Sequence, residues 1–563
     1  MANRITTPFG QAVPPAPRHA VTVHMPGWQS VQKYGADPRS VIATFSNAYP
    51  RAKPHRDIAS VGLAYSLTYL SHTLIFEQLA NMVLSHLGLT GHSCFLFSSL
   101  ASAEECVGYC TSPRRADSER SPIPPDVIQI RAFKAKDPFW PVVFPSEYES
   151  VAAGFWSKPG VGVSSRFAEA NLSFINQLAE ASISYEVESR PSFETAKHET
   201  IRERIISYLE RATLQPTVPK PSSNDIFLFP TGMASIYKPH TYLSHLQDGT
   251  TILFGMAFMD TVTAFQEFGS GFKFFGLGSD EDLLALEVFL REERSQGRKV
   301  QAIWAEFPAN PILVTPDLVR LRALADDYDV ILAVDDTIGS YANVDITHMT
   351  DILVTSLTKS FNGYADVIAG CAILNPTSRH YKTLKTLFNS RYVPELYVDD
   401  VEALERNSRD YLTRTSKLNH NAKSLVDYLQ TCSEDRNSAV HRVHYPSVNS
   451  SGKHYRQFMR RETPEFTPGY GCLFSVEFDD IQTTEAFYNN LNVHNSVHLG
   501  APFTLAFAYT ACTYARKLDW AASYGLKPTQ IRVTAGLEDT NLLLEDFRFA
   551  VEAANQVRSQ PGH

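Results

Sequence analysis

From about residue 200 the chain alternates short apolar runs with longer segments whose apolar residues recur at helical spacing. Ile226–Phe229, Thr251–Gly255, Lys273–Phe275, Val300–Phe307, Val330–Asp335, Asp351–Thr355 and Val367–Leu374 read as strands. Between them, Ser279 is placed to cap a helix with Leu283, Leu286, Phe289 and Leu290 on its apolar face. Thr315 followed by Pro316 marks a second helix start, with Leu318, Leu321 and Leu324 facing inward. Strands alternating with helices predict an α/β fold with a mostly parallel central sheet covered on both faces. Pro239 falls within a helical pattern, so a kink or a short first turn is expected there. After about 400 a long helix over Val401–Leu429 leads to strands at Val440–Tyr445, Leu473–Phe478 and Ile531–Thr534, the pattern of a smaller α+β domain. Upstream, residues 1–18 are proline-rich and expected to be disordered, and Thr111–Pro125 is a polar, proline-punctuated loop. The expected division is an N-terminal accessory domain over 1–140, a main α/β domain over 141–400 and a C-terminal α+β domain over 401–563.

The length of 563 residues exceeds one ordinary core and suits this division. A net charge of −9 argues against nucleic acid and anionic membrane surfaces as partners. No apolar run approaches the roughly 18 residues of a membrane span, and the first twenty residues lack the apolar core of a secretory signal. Seven scattered cysteines predict buried free thiols in a reducing, cytoplasmic setting. Cys106 and Cys110 have no second pair at metal-finger spacing, so no metal is expected.

Four segments carry candidate chemistry. In Ser356-Leu-Thr-Lys359 a lysine follows an apolar strand, with hydroxyls at Ser356 and Thr358. Burying a lysine is costly unless it has a task; desolvation lowers its pKa and suits it to a Schiff base and to proton transfer. In Val334-Asp-Asp336 a carboxylate ends a buried strand, where α/β sheets bind ligands. Asp335 directly follows the apolar run and is preferred over Asp336. In Phe229-Pro-Thr-Gly-Met-Ala-Ser235 a strand gives way to a helix at Gly232, a place for a phosphate. In Ala305-Glu-Phe-Pro-Ala-Asn-Pro311 the amide of Asn310 follows a strand on the same sheet edge. A lysine, a carboxylate and a phosphate loop on one edge are the parts a pyridoxal 5'-phosphate (PLP) enzyme needs, the carboxylate keeping the ring nitrogen protonated so that the ring accepts electrons.

In this order the segments resemble the fold-type I PLP enzymes of cysteine and methionine metabolism, and the fungal cystathionine γ-synthase group in particular. The resemblance includes His19-Ala-Val-Thr-Val-His-Met-Pro-Gly-Trp28, Tyr49-Pro-Arg51, Gly162-Val-Ser-Ser-Arg-Phe-Ala-Glu-Ala170, Phe254-Gly255, Val334-Asp-Asp-Thr-Ile-Gly339, Ser356-Leu-Thr-Lys359 and Arg532-Val-Thr-Ala-Gly-Leu-Glu-Asp539. It implies that Lys359 carries PLP, that Asp335 holds the ring nitrogen, and that Gly232, Met233, Ser356 and Thr358 hold the phosphate. Arg532 is then the clamp for an amino-acid α-carboxylate, with Asn310 beside it. Arg166 is the arginine that reaches the cofactor phosphate of a neighbouring subunit, which implies a homodimer or homotetramer with shared active sites. Three positions depart from the pattern. Phe254 stands where many relatives have a tyrosine stacked on the cofactor. Ser164 replaces a phosphate-contacting tyrosine. His498, in His498-Leu-Gly500, replaces a serine near the substrate carboxylate.

The activity implied is γ-replacement on an O-acyl-L-homoserine, taken as O-acetyl-L-homoserine, through a vinylglycine ketimine. L-Cysteine as nucleophile would give cystathionine, a carbon nucleophile such as a β-keto acid would give a longer, non-proteinogenic amino acid, and another thiol or sulfide is the third option. A PLP-dependent γ- or β-lyase and a non-catalytic regulatory homologue are the alternatives.

Overall fold

The computed structural model describes residues 5–47, 79–113, 121–181 and 193–559. The Tyr49–Arg51 segment and residues 114–120 of the expected loop lie outside the described residues.

Three sheets organise the described residues. The first contains β1 (His92–Phe97), β2 (Gln129–Ile130), β3 (Ala132–Lys134), β4 (Pro138–Pro145) and β5 (Ala179–Ala181), in the order β1-β4-β3-β5 with β2 also on β4. The central sheet has seven strands: β6 (Ile226–Phe229), β7 (Thr250–Phe254), β8 (Gly271–Phe275), β9 (Val300–Glu306), β10 (Ile331–Asp335), β11 (Ile352–Thr355) and β12 (Gly370–Leu374). Their order is β6-β12-β11-β10-β9-β7-β8. The five strands β8, β7, β9, β10 and β11 run parallel, while β12 is antiparallel to both neighbours. The third sheet, β13 (Val440–His444), β14 (Leu473–Phe478), β15 (His494–Asn495), β16 (Leu505–Phe507) and β17 (Gln530–Thr534), is ordered β13-β14-β17-β16-β15.

Central strands that are apolar throughout are buried on both faces, as parallel sheets require. Leu253, Trp304, Ala333 and Val354 enter one core, and Phe254, Ala305, Val334 and Leu353 enter the other. Ser279 caps its helix as expected, accepting from the Asp282 amide at 3.2 Å. The next helix begins later than expected. Asp317, not Thr315, caps Leu318–Tyr328, accepting from Val319 and Arg320 at 3.1 Å each. An aspartate offers an acceptor at the right depth, and Thr315 is instead buried. Pro239 lies inside the helix Ala234–Leu246, which continues past it.

The expected helix over Val401–Leu429 is two helices, Val398–Asn407 and Tyr411–Glu434. Arg414 explains the break. Its guanidinium donates to the Asn407 carbonyl at 2.9 Å, satisfying the end of the first helix, and to the carbonyls of Ser360 (2.9 Å) and Phe361 (3.2 Å).

From residue 5 on, the proline-rich start is ordered, contrary to expectation. Residues 5–47 form a strap across the C-terminal part, where Val23, Met25, Trp28, Val31 and Phe45 share a core with Leu425, Phe474 and Phe487. The Met25 amide donates to the Asn495 carbonyl at 2.9 Å and the Trp28 amide to Asn489 at 2.8 Å. The expected boundary at 140 also falls inside β4, whose pairing with β1 runs from Trp140 to Pro145. The N-terminal 140 residues therefore divide between two places in the fold.

The first sheet's unit is tied to the helix Ala234–Leu246 by buried charge. Lys238 donates to both oxygens of Glu105 (3.0 and 2.9 Å) and to Ser102 (3.0 Å), and Ser102 in turn donates to the buried Glu395 at 2.6 Å. Removing one partner of such a network strands the remaining charge. Lys238→Ala is expected to lower stability by about 3–5 kcal/mol, measured as a fall in the urea midpoint; a change under about 0.5 kcal/mol would show that the network contributes little.

Candidate active site

The C-terminal ends of β6, β9, β10 and β11 share one edge of the central sheet, the place where such sheets bind ligands. Lys359 sits on the turn after β11. Arg414 holds this turn from behind through the carbonyls of Ser360 and Phe361. The approach is close enough that a Cβ at Gly363, where φ is +70°, would fall 1.5 Å from Arg414 Nη1.

Asp335 ends β10, opposite Val354 of β11 and Glu306 of β9. Its carboxylate accepts from the Thr337 amide at 2.8 Å. Burial pushes its carboxyl above the usual range, opposed by the Thr337 hydrogen bonds and by the charge of Lys359. Asp336 points to the other face, as strand alternation requires. It is buried, accepts from the Thr355 hydroxyl, and is pushed up to about 7 by burial. Asp335 is thus the carboxylate that lies near Lys359.

The loop after β6 leads into the helix Ala234–Leu246. Thr231 takes up the amides of Ala234 (2.9 Å) and Ser235 (3.2 Å), while the amides of Gly232 and Met233 donate to no acceptor among the described residues. A Cβ at Gly232 would come within 2.4 Å of Ser356 Oγ, so glycine is required for this loop to meet the lysine turn. Together these groups form an anion cradle at a helix N-terminus. Thr358 does not join it. Its buried hydroxyl donates to the Ala369 carbonyl (3.1 Å) and accepts from the Ala369 amide (3.0 Å), so it struts the lysine turn instead.

On the far side, Arg532 is buried on β17. It donates to Asn310 Oδ1 at 3.1 Å and to the Val497 carbonyl, and its guanidinium lies 4.5 Å from the Tyr509 ring centroid. Asn310 therefore orients the arginine. Next to Val497 stands His498, 1% exposed, its ring nitrogens making no hydrogen bond of good geometry among the described residues. Burial and the charges of Lys359 and Arg532 push its pKa well down, so the imidazole is neutral at neutral pH. A Cβ at Gly500 would lie 2.5 Å from the Ser360 amide nitrogen. The His498–Gly500 loop thus bridges the arginine clamp and the lysine turn.

One expected cofactor residue lies elsewhere. Phe254, opposite Ala305 and thus on the sheet face away from Asp335, is fully buried in the second core. Phe258, which the sequence reading passed over, packs half-buried against the core on the Asp335 side, and its amide donates to Glu306 at 2.7 Å. Arg166 is engaged within its own chain by the Asp366 carbonyl (2.7 Å) and Asp400 (3.1 Å), in a cleft also lined by Ser164, Pro230 and Thr231. Glu306, Arg414 and Tyr509 are further site residues that the sequence reading did not single out.

With this geometry in place, comparison with known proteins is decisive. Residues 192–552 match the family model described as Cys/Met metabolism PLP-dependent enzyme, and residues 75–164 match the fungal trans-sulfuration enzyme N-terminal domain. The chain belongs to the Cys/Met metabolism PLP-dependent enzymes. Within that family it is 29% identical to the cystathionine gamma-synthase-like enzyme iboG2 of Amanita muscaria, over 98% of this chain and 97% of that protein. It is 32% identical to alanine racemase ungC of Aspergillus violaceofuscus, over 96% of each, and 30% identical to the cystathionine gamma-synthase of Neurospora crassa, over 98% and 99%. The crystal structure of cystathionine gamma synthase from Xanthomonas oryzae pv. oryzae has the same fold, with a TM-score of 0.52 at 20% identity, over 65% of this chain and 87% of that one. PLP is the family's cofactor, and the residues present fit it. The two unpaired amides and the Gly232–Ser356 contact suit a phosphate, and Lys359 and Asp335 suit the two ends of the ring system.

The two adjacent aspartates give a direct check. Asp335→Asn is expected to slow exchange of an amino-acid α-proton into D2O on the order of 10²–10³-fold, followed by NMR. Asp336→Asn, which replaces a group already held partly neutral, is expected to slow it less than about tenfold. The reverse ranking would assign the ring-nitrogen role to Asp336.

Proposed function

We propose that the protein is a γ-replacement enzyme acting on an O-acyl-L-homoserine, with O-acetyl-L-homoserine as the first candidate. The observation that carries this reading is a carboxylate clamp, Arg532 with Asn310, held against the loop that carries the solvent-shielded imidazole of His498 and also touches the Lys359 turn. PLP, when bound, supplies an electron sink for charge developing on the substrate carbon skeleton. Lys359 holds the cofactor and later moves protons at Cα and Cβ. Asp335 keeps the ring-nitrogen proton in place. Arg532 binds the α-carboxylate with its planar fork, fixed by Asn310 and Val497 and backed by the Tyr509 ring. Phe258 covers the ring on the Asp335 side.

The nucleophile is either L-cysteine or a carbon nucleophile such as a β-keto acid, and His498 is the residue that selects between them. A neutral imidazole offers one donor and one acceptor, and a buried one without partners favours a ligand that satisfies both. Homo-oligomerisation, with Arg166 serving a neighbouring subunit's cofactor, belongs to the same proposal and requires Arg166 to leave Asp366 and Asp400. The 32% identity to a protein named alanine racemase favours one second reading, in which Cα is deprotonated and reprotonated with no group lost.

Incubation with O-acetyl-L-homoserine and either cysteine or acetoacetate, with products read by mass, tests the first reading; L-alanine in D2O with chiral analysis tests the second. A γ-substituted amino acid supports γ-replacement. D-alanine without any substitution product supports racemisation, and keto acid released without a nucleophile supports a lyase. His498→Ser is expected to change the ratio of kcat/KM for the two nucleophiles by about tenfold or more; an equal effect on both would make His498 a scaffold residue.

A further inference from the structure

Glu306 is the most connected buried group at the sheet edge that the proposed reaction does not use. It ends β9 at 7% exposure, and the register places it directly opposite Asp335. Side chains at paired positions of parallel strands leave on the same face, with the strands about 4.8 Å apart. Both Glu306 oxygens are engaged. Oε1 accepts from the Phe258 amide at 2.7 Å and Oε2 from the Asn310 amide at 2.9 Å. One carboxyl group therefore touches the loop carrying the aromatic beside the ring site and the loop carrying the residue that orients Arg532.

We propose that Glu306 is a positioning residue for the cofactor, which spaces the Phe258 and Asn310 loops around the ring and holds the proton that lets its neighbour Asp335 remain anionic. The proposal rests on the reading of Asp335 as the ring-nitrogen partner. Two buried carboxylates side by side do not both ionise without help. Among the described residues, the charged and titratable groups around the pair are Lys359 and Asp336 on the Asp335 side, Cys371 from β12, Arg532 from β17, and Tyr509 and Tyr514 from the segment after β16. Burial, and then the charge of Asp335, push the Glu306 carboxyl up to about 8, against the two amides and Arg532. At neutral pH the pair thus carries one negative charge, and Asp335, hydrogen-bonded by Thr337 and facing Lys359, is the better place for it.

The pH consequence follows in sign. A carboxyl whose folded pKa lies above its unfolded value makes the native state bind more protons than the unfolded state. Its contribution to stability therefore falls as pH rises from the unfolded value to about 8. Glu306→Gln removes this dependence. It also keeps only one acceptor oxygen, so one of the two loop amides loses its partner.

The test uses full-length protein stripped of cofactor and titrated with PLP by absorbance at pH 6.5 and 8.5, with thermal melting of the stripped protein at the same pH values. Glu306→Gln is expected to weaken PLP binding about tenfold and to flatten the fall in melting temperature between the two pH values. Glu306→Asp, which keeps a titratable carboxyl with a shorter reach, is expected to retain the pH dependence but not the affinity. Glu306→Gln binding PLP like the parent, with the same melting behaviour at both pH values, would overturn the proposal. Asp335→Asn, run alongside, separates the two ideas. If it leaves the bound cofactor's spectrum and affinity unchanged, the assignment of Asp335 fails and the Glu306 proposal fails with it; if only Glu306→Gln is silent, Asp335 stands and Glu306 does not.

Discussion

The proposed chemistry depends on keeping a carboxylate anionic in a place that disfavours it. Asp335 lies at the end of an apolar parallel strand, where water is scarce and burial raises its pKa. The surroundings oppose that effect through the Thr337 amide and the charge of Lys359. Lys359 in turn needs a rigid turn, and Arg414 supplies it from a helix start more than fifty residues away. The Gly232 loop fits only because it lacks a side chain against Ser356. Helix break, glycine loop and strand register are thus consequences of placing one lysine and one carboxylate within reach of the same ring.

The same logic explains the other half of the site. Arg532 is a buried cation, and such a group is stable only with oriented acceptors or a π face. Asn310, Val497 and Tyr509 provide these. His498 stands between two cations and stays neutral. A substrate carboxylate would complete the charge balance that Arg532 lacks, and a polar group of the second substrate would complete the hydrogen bonding that His498 lacks. The family membership fixes the cofactor; these unsatisfied groups shape what else can bind.

The strand ends and the chemistry placed on them were legible in the sequence because apolar runs stop where the sheet edge begins. That pattern located Lys359, Asp335, Gly232 and Asn310. Glu306 ends its strand in the same way, but its role lies in contacts with the Phe258 and Asn310 amides, for which its own segment carries no signal. Phe254 was expected at the ring by resemblance alone, whereas its register opposite Ala305 turns it to the other face of the sheet. Thr358 showed that hydroxyl content does not reveal which partner a hydroxyl finds. Arg414, Tyr509 and the strap of residues 5–47 come from contacts between distant segments, for which local pattern has no signal. The strap's proline content suggested disorder, yet its Val, Met and Trp positions carried the apolar face that docks.

In the proposed function Lys359 is the residue that holds the cofactor. Borohydride reduction of the loaded protein, followed by proteolysis and mass mapping of the pyridoxyl-modified peptide, tests this directly. The account predicts one modified lysine, Lys359, in the peptide spanning Ser356-Leu-Thr-Lys359. Modification at Lys238 or at any other lysine, with Lys359 unmodified, would contradict it.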